Sequence, residues 1–178
     1  MGSYKSKLDL LYLVIIVLQL IGMFVMDFLP LYPAVLWKDP STPLHFIYTF
    51  NRFIVEVSGD PFARSPSSYP WFEAMTLIEL VSQFPLAIYL IYKMLQKRPI
   101  DAPAEVAGLA FGCLNFMGST ITTFELLHML PATFAPGQQN KLIYTEFGPY
   151  AVISGVMAVD MYMRLLKRVQ EPGKAKTL

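Results

Sequence analysis

The sequence predicts an all-α fold: a polytopic membrane protein built as a bundle of four transmembrane helices, with short helices in its first loop. Of its 178 residues, 54% are hydrophobic and 15% are charged, whereas soluble domains carry roughly 25% charged residues. Four segments each supply the run of about 20 mostly apolar residues that a helix needs to cross a bilayer. Most lysines and arginines lie in segments that would share one side of the membrane.

The predicted spans cover residues 8–28, 71–95, 105–130 and 147–166. The first follows Lys5 and Lys7, as a signal peptide would, but its apolar run is too long for a cleaved signal and no small-residue cleavage motif follows it. We therefore expect a retained signal-anchor helix. The second span opens with Pro-Trp-Phe, whose aromatic side chains suit the membrane interface.

The loop between the first two spans is long and rich in Pro, Tyr and Phe. Within it, HFIYTFNRFIVEV carries apolar residues at helical spacing, which predicts one or two short helices lying over the bundle on its lumenal side. The chain would thus form one membrane domain, residues 8–168, followed by a short polar tail, residues 169–178.

Basic residues set the expected topology. They are concentrated before the first span, between the second and third spans, and after the fourth. The positive-inside rule then places both termini in the cytosol. The tail ends K-A-K-T-L, and the spacing of Lys174 and Lys176 matches an ER-retrieval signal, an address that a receptor reads on a cytosolic tail. The predicted location is therefore the endoplasmic reticulum membrane.

Composition argues against several other classes of protein. The net charge is +1, so there is no large basic field to attract nucleic acid. The single cysteine, Cys113, cannot form an intramolecular disulfide. With one cysteine and two histidines, a structural zinc cluster is not expected, and we predict neither a metal site nor another cofactor.

Acidic side chains inside the spans are the first functional candidates. Each costs at least ~2.5 kcal/mol to insert, so an intramembrane carboxyl group is taken as a functional hypothesis by default. Four of the acids in the predicted spans are candidates: Asp27, Glu79, Glu125 and Asp160. For Asp160 we favour a role in helix packing or at the interface, and we expect Asp9 and Glu73, at span ends, to be solvated.

Asp27 and Glu79 both fall in the lumenal half of the bilayer, because the first span runs towards the lumen and the second runs back from it. Two carboxyl groups close together in a low dielectric cannot both ionise cheaply, so they share a proton. A neutral Glu79 could then donate a hydrogen bond to an ionised Asp27. One negative charge in an apolar cavity suits a ligand that is mostly hydrocarbon with one cation, or a carbocation.

The stretch IELVSQFPL, residues 78–86, places polar groups in an apolar run. Glu79 and Gln83 are four residues apart and share a helix face. Pro85 has no backbone N–H to donate to the carbonyl of Val81, so a kink here would open a cavity between helices. The alternative is that Glu79 and Gln83 only join helices through polar contacts.

Weaker candidates lie on the third span. Glu125 is near the lumenal boundary, and a boundary role with His128 as its partner is the alternative to ligand binding. Asn115 and Thr120 carry polar groups that either line a cavity or bond back to their own helix.

Four longer motifs stand out along the chain: GMFVMDFLPLYP, SGDPFA, WFEAMTLIELVSQFPLAIYLIY and TEFGPYAVISGVMAVDMY. In order, spacing and number of spans they resemble the EXPERA family, and in particular its sigma-2 receptor group, over nearly the whole chain. The resemblance implies a four-helix membrane bundle of the ER, often a homodimer. It also implies an apolar cavity that opens sideways to the bilayer and binds sterols and cationic amphiphilic drugs.

The resemblance also implies roles for individual residues. Asp27 corresponds to the aspartate that pairs with a ligand amine, and Glu79 to the glutamate hydrogen-bonded to it. Asp60 corresponds to a second aspartate, in the loop, that supports the site, and only the resemblance singles it out. Gln83 and Tyr150 correspond to residues that line the cavity.

The family's sterol isomerases, which resemble this chain in fold but have five spans, use a histidine four residues before the acid of the first span. That position here is Met23, so isomerisation of sterols is not expected. We expect a non-enzymatic protein that binds a sterol or other lipid, and cationic amphiphiles, and acts in sterol homeostasis or trafficking. The alternative is a membrane isomerase or cyclase that acts on a sterol or terpenoid through a carbocation, using Asp27 and Glu79.

Overall fold

The computed structural model describes residues 7–65, 68–96 and 98–170, and within these ranges the prediction of an all-α fold is confirmed. Its α-helices are α1 (Lys7–Gly22), α2 (His45–Ser58), α3 (Pro61–Arg64), α4 (Pro70–Ile78), α5 (Phe84–Leu95), α6 (Ala102–His128), α7 (Gln138–Lys141) and α8 (Gly148–Gln170). Wider π-helical turns continue α1, join α4 to α5, and join α7 to α8; they are Met23–Asp27, Glu79–Gln83 and Leu142–Phe147.

Four helical runs in the described chain are long and apolar enough to cross a membrane, as predicted. They are spans 1 to 4: Lys7–Asp27, Pro70–Leu95, Ala102–His128 and Gln138–Gln170. Span 4 begins before the predicted residue 147, because the turn Leu142–Phe147 keeps α7 and α8 in one continuous helix. We call the end of the bundle that holds residues 7, 102 and 170 the terminal end, and the end that holds residues 27, 70 and 128 the loop end.

The main apolar core lies among all four spans. Side chains at most 2% exposed come from each of them: Tyr12, Ile16, Leu90, Met94, Phe111 and Met161. The outward faces of the same helices are also apolar and expose Leu18, Val81, Phe124 and Val159. Helices that are apolar on both faces suit a bundle whose surroundings are hydrocarbon.

Spans 3 and 4 pack closely because small residues lie between them. A Cβ atom added at Gly112 would lie 2.9 Å from the backbone nitrogen of Ala158 and 3.0 Å from the carbonyl oxygen of Ser154. One turn earlier, Gly108 leaves room for the side chain of Met161, whose Cγ would lie 3.1 Å from an added Cβ. The Gly-x-x-x-Gly spacing thus lets the two helix backbones come together.

Ion pairs join the spans at the terminal end. Arg164 of span 4 lies 2.6 Å from Asp9 of span 1 and 2.7 Å from Asp160. Arg168 binds both carboxylate oxygens of Glu105 in span 3, at 2.6 and 2.9 Å. Asp9 is 5% exposed, so the prediction that it is solvated is wrong. Its partner lies 155 residues later in the chain, where sequence spacing gives no sign of the contact.

The first loop folds onto the loop end and forms the short helices α2 and α3, as predicted. Phe62 of α3 is fully buried, with 0% exposure. Its ring centroid lies 5.0 to 6.4 Å from those of Tyr69, Trp71, Phe72 and Phe147. This aromatic cluster fixes α3 against spans 2 and 4.

Gly112→Ala should lower the thermal unfolding temperature of the protein in detergent micelles. The new methyl group meets backbone atoms of α8, which can move only if a whole helix shifts, and overpacking of this kind costs about 1–3 kcal/mol. Gly118→Ala, on the same helix, is the matched control, because nothing lies within 4 Å of its added Cβ. Equal unfolding temperatures for the two variants would show that the bundle does not depend on this close approach.

Candidate ligand-binding site

Two of the wide turns carry the predicted carboxyl pair. Asp27 ends the turn Met23–Asp27, and Glu79 begins the turn Glu79–Gln83; both side chains are partly buried. Turns of this kind are frequent at functional sites. In span 2 the turn comes just before Pro85, which cannot donate the hydrogen bond that a regular α-helix needs there. The irregularity expected in this stretch therefore takes the form of a widened helix.

Side chains from the first loop hold the turn that carries Asp27. The hydroxyl of Tyr32 donates to the carbonyl of Phe24 at 3.0 Å, and Nδ2 of Asn51 donates to the carbonyl of Val25 at 3.1 Å. These carbonyls belong to the last turn of span 1, where the helix itself supplies no further N–H groups. The loop and α2 thus fix the backbone on which Asp27 stands.

The segment S-G-D-P-F places Asp60 between α2 and α3. Gly59 ends α2 with a φ of +66°, a left-handed conformation that favours glycine. Asp60 then caps α3, since its Oδ1 accepts a hydrogen bond from the N–H of Phe62 at 2.9 Å. Pro61 occupies the first turn of α3, where its missing N–H costs nothing. Local rules of helix capping therefore account for the motif.

The structure brings the three predicted acidic residues together at the loop end. Glu79 and Asp60 both lie within electrostatic range of Asp27. A fourth acid, Glu146 in the turn Leu142–Phe147, lies within range of Asp60. Burial raises the pKa of Asp60 to about 6, although two backbone N–H groups at the start of α3 favour its charged form. A carboxyl group with this pKa changes its charge near pH 6, within electrostatic range of Asp27.

Three rings that lie close to Asp27 and Glu79 in the chain form an apolar wall. Phe24, Phe28 and Phe84 pack edge to face, with ring centroids 5.3 to 6.2 Å apart. Phe24 and Phe28 flank Asp27 in sequence, and Phe84 follows the turn that Glu79 begins. Aromatic surfaces accept hydrocarbon, and their faces also attract cations.

One polar side chain from each span meets in a single network inside the bundle. Nε2 of Gln19 donates to Oε1 of Gln83 at 3.0 Å and to Oδ1 of Asn115. The hydroxyl of Tyr150 donates to Oε1 of Gln19 at 3.2 Å. Gln83 and Asn115 are each 4% exposed, and buried amides of this kind are stable only when hydrogen-bonded. The network therefore ties all four spans together at one level.

Tyr150 links this network to the acidic residues. Besides its bond to Gln19, it lies within electrostatic range of Glu79 and Asp27. Gln83 and Tyr150, to which the family resemblance assigns a cavity-lining role, share Gln19 as a partner.

The weaker candidates on the third span lie in different surroundings. Asn115 belongs to the network, whereas Thr120 is exposed and Glu125 is partly buried. The ring of His128 is hydrogen-bonded at Nδ1 to the carbonyl of Phe124, 2.8 Å away, rather than to Glu125. Lys174 and Lys176 lie outside the described residues.

Three residues of this region were not predicted: Gln19, Asn51 and Glu146. Gln19 interrupts an otherwise apolar run in span 1, which is the same signal that pointed to Glu79. Asn51 lies in an amphipathic helix, where polar residues are expected, so the sequence does not mark it as a functional residue. Among the described residues, no group of three or more His, Cys, Asp or Glu side chains is arranged to hold a metal ion.

Comparison with known proteins identifies a family. A sequence profile described as EXPERA (EXPanded EBP superfamily) matches residues 44–161. The matched segment contains Asp60, Glu79, Gln83 and Tyr150, while Asp27 precedes it. Searches of curated proteins and of solved structures gave no match.

Gln19→Leu should destabilise the folded protein by about 1–2 kcal/mol, because the buried amides of Gln83 and Asn115 lose a donor. Denaturant unfolding in detergent micelles measures this loss. Asn115→Leu and the double variant complete a double-mutant cycle. We expect the double variant to lose less than the sum of the two single losses, since the first change already breaks the shared bond. Strictly additive losses would show that the two amides do not depend on each other.

Proposed function

The chain belongs to the EXPERA (EXPanded EBP) superfamily, and on this premise we propose that it binds a sterol or related lipid, and cationic amphiphiles, at Asp27 and Glu79. Membership of this family fits a sterol-related membrane protein. The observation that carries the proposal is the meeting of Asp27, Glu79 and Asp60 at the loop end of the bundle.

Charge and apolar surface together define the ligand class. In hydrocarbon, neighbouring carboxyl groups share protons, so the pair of Asp27 and Glu79 holds about one negative charge. That charge pairs with a ligand amine, while a protonated Glu79 donates a hydrogen bond to Asp27. The wall of Phe24, Phe28 and Phe84 receives the hydrocarbon part of the ligand. A neutral sterol would bind to the same wall, with its hydroxyl group at Asp27 and Glu79.

A sideways path from the bilayer suits such ligands. Phe24 is 42% exposed and Leu80 is 38% exposed on the turns that carry the pair. Both residues lie in membrane-spanning helices, so their exposed surfaces would contact lipid. A hydrophobic ligand dissolved in the bilayer would reach Asp27 and Glu79 between spans 1 and 2, without crossing the aqueous phase.

We also propose that the protein lies in the endoplasmic reticulum membrane, with the terminal end of the bundle on the cytosolic side. The basic residues of the sequence support this topology through the positive-inside rule, and the site would then face the lumenal leaflet. The family resemblance supports the endoplasmic reticulum as the location. The homodimer implied by the family resemblance remains part of the same proposal.

The alternative function is a membrane isomerase or cyclase that uses the same two carboxyl groups. Asp27 and Glu79 together can give and take a proton, which favours this chemistry. Met23 argues against it, because it is 1% exposed and offers no group for proton transfer at the position of the isomerases' histidine. Conversion of a sterol or terpenoid by the purified protein would show that it is an enzyme.

Asp27→Asn should weaken binding of a radiolabelled cationic amphiphile by about 2 kcal/mol or more, roughly thirty-fold in Kd, because the ligand amine loses its counter-ion. Glu79→Gln should weaken it as well. Saturation binding to the purified protein in detergent measures both effects.

Glu73→Gln is the matched control for Glu79→Gln. It removes a carboxylate from the same span, but Glu73 is exposed at the span end. We expect its Kd to equal that of the wild-type protein. Wild-type affinity in a folded Asp27→Asn variant would exclude Asp27 as the counter-ion.

Binding of the cationic amphiphile should strengthen as pH rises from 5 to 7. The pKa of Asp60 is raised to about 6 by burial, so this carboxyl group is neutral below that pH and adds a negative charge near Asp27 above it. Asp60→Asn should flatten this part of the pH profile, and asparagine still caps α3. Affinity measured across the pH range for both proteins checks the prediction. A pH profile unchanged by Asp60→Asn would contradict it.

A further inference from the structure

Helix α2 has an exposed apolar stripe that neither the bundle nor the proposed ligand site uses. Phe46 is 68% exposed, Phe50 50%, Phe53 58% and Val57 58%. At about 100° per residue, these four side chains fall within a sector roughly 60° wide. We call them the α2 stripe.

The rest of α2 divides into two further sectors. Asn51, Val55 and Ser58 are buried against the bundle. Arg52 and Glu56 are exposed on the remaining flank, 4.0 Å apart. The helix therefore has one face for protein, one for hydrocarbon and one for water. A helix that lies in the plane of a membrane interface needs this arrangement.

Contacts in the middle of α2 and at its C-terminal end fix its rotation. Asn51 donates to the carbonyl of Val25 in the last turn of span 1, at 3.1 Å. At the C-terminal end, Nε2 of Gln138 donates to the carbonyl of Ser58 at 3.0 Å. Because both anchors lie on the buried side, the α2 stripe must point away from the bundle.

The surroundings of the stripe are largely apolar and continue the exposed apolar surface of span 1. The turn to which Asn51 docks exposes Phe24, and the chain that leads from it exposes Leu31 and Val35. These residues extend the lipid-exposed surface of span 1 towards α2. An open groove of about 680 Å³ runs along the stripe. Its lining is mostly apolar, with Pro40, Pro43, Phe46, Phe50 and Phe53, and also includes Thr42, His45 and Thr49.

Aromatic and charged groups near α2 suit the level of the lipid headgroups. The rings of Trp37 and Tyr48 pack with centroids 5.3 Å apart, and Trp37 donates to the carbonyl of Tyr32 at 3.1 Å. Tryptophan and tyrosine are enriched at membrane interfaces. Arg52 and Glu56 carry opposite charges, so the helix has no strong field with which to attract a charged partner.

From this geometry we infer that α2 is an interfacial helix, with its stripe inserted into the lipid leaflet at the loop end of the bundle. The groove beside the stripe takes an acyl chain of that leaflet. Lipid is the fitting occupant because it needs only apolar surface, and because the stripe adjoins a span that already contacts lipid. The inference is independent of ligand binding at Asp27.

Fluorescent labels in the full-length protein can test this inference. Cys113 is the single cysteine, so Cys113→Ser provides a cysteine-free background. Phe50→Cys then places a polarity-sensitive dye on the stripe, and Glu56→Cys places it on the polar flank of the same helix as a matched control. Each protein is reconstituted in neutral phosphatidylcholine vesicles, at the orientation that exposes the loop end to added quencher.

Phospholipids with a nitroxide on the acyl chain should quench the dye at position 50 more strongly than the dye at position 56. Aqueous iodide should show the opposite order, with quenching several-fold weaker at position 50. Val57→Cys is a second stripe position, should Phe50→Cys fail to fold. Quenching at position 50 should change little with salt concentration, because burial of apolar surface drives the contact with lipid.

Three outcomes would overturn the inference. Strong iodide quenching at positions 50 and 57 would place the stripe in water. Protection from both quenchers at every lipid-to-protein ratio would mean that another part of the protein covers it. Protection from both quenchers that is lost as the protein is diluted in lipid would identify a second copy as the occupant.

Discussion

Polar groups inside a membrane bundle must find their partners within the protein, because hydrocarbon supplies none. The side chain of Gln19 supplies such partners to polar groups on the other three spans. Its amide bonds to Gln83, Asn115 and Tyr150, one residue from each of the other spans. Once these bonds are made, the spans cannot slide or rotate independently, and this restricts the turns that carry Asp27 and Glu79. The geometry of the candidate site thus follows from a network that includes two of its own members.

Charge is distributed unequally along the bundle. At the terminal end, Arg164 and Arg168 neutralise acids of spans 1, 3 and 4. At the loop end, Asp27 and Glu79 instead lie within electrostatic range of each other, and no ion pair of the described residues includes either of them. Paired charges stabilise the packing of helices, whereas acids without a cation are available to a ligand. This asymmetry is the physical basis for assigning function to the loop end.

The first loop has two roles at that end. Through Tyr32 and Asn51 it supplies hydrogen-bond donors to the carbonyl groups that end span 1. Through the cap of α3 it brings the carboxyl group of Asp60 close to Asp27. The same helix, α2, that fixes the turn of Asp27 presents its apolar stripe outwards. With α2 inserted in a leaflet as inferred above, a change in that leaflet would act on the backbone of the candidate site through the bond from Asn51 to Val25.

The number of spans, the all-α fold, and the positions of acids and a proline in apolar segments can all be read from the sequence alone. These follow from periodicity, composition and the cost of burying charge, which are local properties of the chain. Three features became visible only in the folded chain: Asp9 is paired with Arg164, Gln19 joins four spans, and Glu146 lies within electrostatic range of Asp60. Each of these contacts links residues far apart in the chain, and their partners depend on how the helices are rotated and packed. Hydrophobic patterning sets which segments become helices, but close packing and the need to satisfy every buried polar group decide which side chains meet.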